Sequence, residues 1–268
     1  MNPIIVGNWK MNETLGEALL LSSHIANSIE KIHELDIVIA PPSLFLYQIF
    51  EHLKAKPQNL FLAMQNTYWD EFGAYTGEVS LSQTKNICKY VIIGHSERRK
   101  FFGETDKMVN QKVRFALLKN VSPIICVGEE ERFHLEDYYD REVSRMKKSE
   151  GILSQIDKAL EGVKNEDLDK IVIAYEPVWA IGTGNNATGA YAAAICYIIK
   201  NYLSVKYSQE LAKDIRVVYG GSVNQDNVRE YMLQPSINGL LVGGESLKPK
   251  EFSQICRIAA EVKSGRTI

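Results

Sequence analysis

Three residues far apart in this 268-residue chain, Lys10, His95 and Glu176, are of the types that move a proton beside a carbonyl, and each follows a short apolar run. Glu176 precedes Pro177, Val178 and Trp179, an apolar setting that can strip water from a carboxylate and make it a stronger base. His95 can relay protons or polarise a carbonyl. Lys10 brings a fixed positive charge suited to a developing oxyanion or to a phosphate. Two further runs end in Gly220-Gly221-Ser222 and Gly243-Gly244. Paired glycines let backbone N–H groups crowd an anion where a Cβ would collide, and Ser222 adds a hydroxyl. The set describes proton abstraction next to a carbonyl in a phosphorylated substrate.

Singly, each residue has a plainer reading. A strand-end glutamate is commonly a surface ion pair, a histidine structural or solvent-facing, and a Gly-Gly pair a turn. His24, His33, His52 and His134 keep that reading, and His134, near Asp137 and Asp140, lacks zinc-site spacing. Cys126 reads as a small buried hydrophobe, since no neighbour in sequence would lower its pKa. The functional reading rests on these pieces arriving at successive strand ends.

Something must bring those ends together. Short apolar runs at Ile4 to Gly7, Asp36 to Ala40, Leu60 to Gln65, Tyr90 to Gly94, Ser122 to Val127, Ile171 to Tyr175, Ile215 to Tyr219 and Gly239 to Val242 alternate with longer amphipathic stretches. Eight runs, apolar nearly throughout, predict an α/β fold of the (β/α)8 TIM-barrel type, a single domain over residues 1–268, with its site where strands end and βα loops begin. Thr14 to Lys31 predicts a helix, with Leu15, Ala18, Leu19, Ser22, Ile25, Ala26 and Ile29 on its core face and Thr14 as cap. Glu129 to Glu150, dense in charge, reads as a solvated helical excursion.

Composition excludes several partners. A net charge of −2 provides no broad field for nucleic acid or an anionic membrane, and no apolar run approaches membrane-spanning length. Cys88, Cys126, Cys196 and Cys256 lie far apart, which suits reduced thiols in a cytoplasmic protein. The expected ligand is small, with no metal and no cofactor.

The segments Asn8-Trp9-Lys10-Met11-Asn12, IGHSERR (Ile93 to Arg99), AYEPVWAIGTG (Ala174 to Gly184) and QNTYWDEFGAYTGEVS (Gln65 to Ser80) resemble the triosephosphate isomerase family along essentially the whole chain. The following roles come with the family and not from spacing; its glutamate base, neutral histidine and closing loop are well-known chemistry. The resemblance implies Glu176 as the base shuttling a proton between C1 and C2, and His95 serving the two oxygens. Lys10 would stabilise the enediolate, with Asn8 donating beside it. Glu97 would brace Lys10, and Ser96 would hold Glu176 while the site is open. Phosphate would lie on Gly182, Gly243 and Gly244 with Ser222 nearby. Pro177 to Gly184 would form a lid that keeps water from the enediolate. The 65–80 loop implies a homodimer, its tip around Ala74, Tyr75 and Thr76 reaching the partner's Asn8 and Lys10 region. Tyr68, Trp69, Phe72 and Tyr75 are its expected exposed anchors.

Three departures stand out. Glu245 replaces the alanine usual after the second glycine of the eighth loop; its side chain is expected to face away from the phosphate. The fifth unit is longer than the family's, and Gly189 stands where a proline often opens the sixth helix. Two other readings stay open: a related aldose–ketose isomerase acting on a four-carbon sugar phosphate, and a barrel that has lost catalysis and serves as an interaction protein through residues 130–150.

Overall fold

Runs of β-branched and other apolar residues, buried on both faces, form strands suited to a parallel sheet covered by helices. The computed structural model describes residues 2–54, 57–84, 86–133, 151–180 and 186–265. In it β1 (Ile4–Asn8), β2 (Asp36–Ala40), β3 (Leu60–Met64), β4 (Cys88–Ile93), β5 (Ser122–Val127), β6 (Val172–Tyr175), β7 (Arg216–Tyr219) and β8 (Gly239–Val242) close into one barrel in sequence order. Every neighbouring pair is parallel, and β8 returns to β1 with Ile4 opposite Gly239. The eight expected strands are all present, with ends shifted by a residue or two.

Helices cover the outside: α1 (Leu15–Ser28), α2 (Leu46–His52), α3 (Ser96–Phe102), α4 (Asp106–Leu118), α5 (Ile152–Ala159), α6 (Gly189–Tyr207), α7 (Gln209–Ala212), α8 (Val228–Met232) and α9 (Pro249–Ser264). Helix α1 starts after Thr14, whose amide and hydroxyl both donate to the Glu17 carboxylate at 2.8 and 2.7 Å. It ends at Ser28, short of Lys31. Leu21 takes a core position and Leu15 is exposed, so the buried stripe is rotated slightly from the expected one.

Strand alternation divides the apolar residues into two cores. Ile4, Val6, Val38, Ile92, Ile124, Val172, Ala174 and Val218 fill the barrel interior. Ile5, Ile37, Val91, Ile125, Ile173 and Val217 face the helices. The interior is not wholly apolar, however. Arg216 Nη1 donates to Asp36 Oδ2 at 2.8 Å and its Nη2 to the Tyr90 hydroxyl at 3.1 Å, a polar plug at the amino-terminal ends of β2 and β7. Among the described residues no helix is long and apolar enough to cross a membrane.

Candidate functional site

At the carboxyl ends of the strands lies a cavity of about 530 Å³. Asn8 at the end of β1 with Lys10 beyond it, His95, Ser96 and Glu97 after β4, Glu176 after β6, Ser222 after β7 and Gly243 and Gly244 after β8 all line it. Gly182, with the rest of the lid beyond Ala180, lies outside the described residues.

Glu176 is almost wholly buried, at 2 % exposure. Its Oε2 accepts the Ser96 backbone N–H at 2.9 Å, and its Oε1 lies 3.0 Å from His95 Nε2. Ser96 therefore touches the glutamate as expected, through its amide. The histidine's other nitrogen, Nδ1, accepts the Glu97 N–H at 3.2 Å. A lone pair is required there, so the ring's proton sits on Nε2 and points at the glutamate. Gly128 permits the close approach of β5 and β6: a Cβ on it would stand 1.8 Å from the Glu176 carbonyl oxygen.

Lys10 occupies the left-handed region, with φ 53°. For a residue with a Cβ this costs about 1–3 kcal/mol and must be held by its surroundings. Asn8 Oδ1 accepts the Lys10 amide at 3.1 Å, and Gln65 Nε2 donates to the Lys10 carbonyl at 2.8 Å and to that of Ala40 at 2.7 Å. The Lys10 ammonium then reaches Glu97 Oε1 at 2.5 Å, the brace the resemblance implied. The same ammonium borders the β8 glycines: a Cβ on Gly243 would lie 3.9 Å from Nζ.

A second layer, centred on the buried Glu104 and Lys112, holds the β4 turn. Gly94, with φ 75°, donates its N–H to Glu104 Oε1 at 3.0 Å. Glu104 Oε2 accepts from Arg98 Nε at 2.5 Å and Lys112 Nζ at 2.8 Å, and Lys112 also reaches Asn66 Oδ1 at 2.8 Å. Burial alone would raise the Glu104 carboxyl, but Lys112 and Arg98 outweigh it and hold it below its ordinary range. The His95 loop and the 65–80 loop thus share one ion cluster.

Sequence reasoning missed Glu129, the first residue of the charged run. It is not solvated: it is 5 % exposed, and its Oε1 accepts from the Tyr175 hydroxyl (2.7 Å), Trp179 Nε1 (2.9 Å) and the Tyr191 hydroxyl (3.2 Å). Burial pushes its carboxyl up, opposed by the Tyr175 and Trp179 donors. Arg132 follows it, stacked 5.4 Å from the Trp179 ring. The run therefore begins by anchoring the described segment after β6 through Trp179; residues 134–150 lie outside the described residues. The position of Glu129 two residues beyond the end of β5, at a strand end as Glu176 is, was the available signal.

Of the expected loop anchors, Phe72 and Tyr75 are exposed, but Tyr68 and Trp69 are half-buried. Tyr68 stacks 4.1 Å from Trp69 and 4.2 Å from Tyr75, building the loop internally. Cys126 is buried beside Glu176, and desolvation pushes its thiol well up, which suits a packing residue. Among the described residues no group of three His, Cys, Asp or Glu is placed to hold a metal ion. Glu245, expected to face away, contributes to the cavity lining.

The triosephosphate isomerase family model matches residues 3–259. Curated proteins named triosephosphate isomerase are similar to nearly the whole chain. That of Dictyoglomus turgidum is 43% identical over 255 residues, covering 95% of this chain and 98% of its own. That of a Thermoanaerobacter species is 44% identical over 254 residues, covering 94% and 98%. The Dehalococcoides mccartyi protein is 42% identical over 261 residues, covering 97% and 98%.

Proposed function

The chain belongs to the triosephosphate isomerase family, and on that basis we propose how its cleft interconverts dihydroxyacetone phosphate and D-glyceraldehyde 3-phosphate. The observation that carries the assignment of roles is the 3.0 Å contact between His95 Nε2 and Glu176 Oε1 in a cavity that Lys10 and the β8 glycines also line.

The single Nε2–H cannot serve both Glu176 and a substrate carbonyl. A carbonyl oxygen arriving at His95 takes that hydrogen bond and releases the carboxylate toward C1. Glu176 then removes a C1 proton, the C–H pair becomes the C1=C2 bond, and the carbonyl π pair moves onto O2 as an enediolate. The Lys10 ammonium and the His95 N–H stabilise that charge, and Asn8 donates through Nδ2 because its Oδ1 holds the Lys10 amide. His95 passes a proton between O1 and O2, and protonated Glu176 returns its proton to C2. Atoms and electrons balance within the substrate, so no redox partner is needed. Phosphate rests on the Gly243 and Gly244 amides with Ser222 beside them.

The working species in this reading is a cytoplasmic homodimer joined through residues 65–80. Its support is the apolar surface after four adjacent strands: Met11, Leu44, Tyr47, Phe72, Tyr75, Phe101 and Phe102 are all exposed. Turnover of glyceraldehyde 3-phosphate, measured beside a four-carbon aldose phosphate with a coupled reporter, tests the assignment. Strong preference for the three-carbon substrate is expected. Preference for the longer one would favour the related isomerase, and no turnover of either would leave an interaction protein.

A further inference from the structure

After β8 the chain turns through Gly243 into a short 3-10 helix, Gly244–Leu247, with Glu245 in its first turn. Glu245 lines the cavity beside Gly243 and Gly244, so an acidic residue borders the end assigned above to phosphate. Bare, it would repel an anionic ligand. Its Oε1 instead accepts from Lys248 Nζ at 2.8 Å. The main chain fixes the same pair, because the Lys248 N–H donates to the Glu245 carbonyl at 3.2 Å. Pro249 follows as the first residue of α9 and stiffens the backbone there.

The two side chains are 26 % and 57 % exposed. A pair so wet contributes little to stability, and its removal leaves the barrel intact. Its effect is local: it decides the sign of the charge that an arriving phosphate meets. The hydrogen bond to the carboxylate also holds the Lys248 ammonium above its ordinary range.

We propose that Lys248 masks the Glu245 carboxylate, so that the pair, and neither residue alone, sets the cavity's affinity for phosphorylated ligands. The inference rests on the placement of phosphate at Gly243 and Gly244. Lys248 is a positioning residue in this scheme, and the effect falls on KM and on anion inhibition. Loss of the lysine bares the carboxylate; loss of the glutamate frees the ammonium.

The test uses inorganic phosphate as a competitive inhibitor of the full-length protein at low and high salt, comparing wild type, Lys248→Met, Glu245→Gln and the double variant. Lys248→Met should weaken inhibition about fivefold at low ionic strength, and Glu245→Gln should strengthen it by about twofold. The double variant should return close to wild type. All differences should shrink in about 0.5 M salt, where screening acts within a few ångströms. A merely structural role would not produce opposite signs that cancel. Equal inhibition of wild type and Lys248→Met, or a double variant no better than Lys248→Met, would overturn the proposal. Gly244→Ala separates this failure from that of the underlying assignment, since a Cβ there meets nothing within 4 Å and costs the fold nothing by collision. If Gly244→Ala weakens phosphate inhibition while Lys248→Met does not, only the masking fails. If Gly244→Ala leaves inhibition intact, phosphate does not sit on those amides.

Discussion

Replacing Glu176 by glutamine tests the proton-transfer scheme at its centre, and the structure sets the scale of two separate effects. Both carboxylate oxygens accept hydrogen bonds, one from Ser96 N–H at 2.9 Å and one from His95 Nε2 at 3.0 Å. Glutamine offers one oxygen and one NH2. Whichever way the amide turns, two donors face each other in a site with 2 % exposure. An unsatisfied buried donor costs about 1–3 kcal/mol, and in a chain of this size each kcal/mol lowers Tm by about 2–4 °C. The chemical effect is larger. An amide cannot accept the C1 proton, so kcat should fall on the order of a thousandfold, about 4 kcal/mol of transition-state stabilisation. Steady-state kinetics, thermal unfolding and phosphate inhibition on one preparation separate the two. The expected result is a modest Tm loss, near-normal phosphate inhibition and almost no turnover. A variant keeping half the wild-type kcat would remove Glu176 from the role of base.

Lys10→Met should raise KM and lower kcat together in steady-state assays, because phosphate and enediolate are both anionic; a change in KM alone would end its role toward the enediolate. Tyr75→Asp should dissociate the proposed dimer and depress activity when sedimentation and specific activity are followed on dilution. A variant that stays dimeric and active would refute the loop's part in assembly. Glu104→Gln should cost about 3–5 kcal/mol at pH 7 in chemical denaturation, since it leaves Lys112 and Arg98 facing a neutral group. The Glu104 carboxyl lies below its unfolded value, so its contribution is present above about pH 4.3 and is lost as pH falls through the folded pKa. Wild type should accordingly lose stability on acidification below about pH 4 more steeply than the variant, and equal slopes would refute the pairing.

The sequence by itself determined the barrel and the identity of its strand-end residues, because both are local signals. An apolar run such as Ile171 to Tyr175 reports burial on two faces whatever surrounds it, and Glu176 next to Pro177 marks where that run stops. What a polar group touches is not local. Glu129 opens a run of charges and reads as solvated, yet it is buried by donors 46 to 62 residues away on β6, the turn after it and α6. Arg216 lies within an apparently apolar strand, and only closure of the barrel brings Asp36 from β2 across to neutralise it. Ser96 reaches Glu176 through its amide because the turn into α3 aims that N–H at the carboxylate, and the residue type alone does not say which of its atoms makes the contact. The proton position on His95 likewise follows from where the Glu97 N–H points. Hydrophobic periodicity averages over many neighbours and so survives in the sequence, while a hydrogen bond depends on two groups meeting within about 3 Å, which only the packed tertiary structure decides.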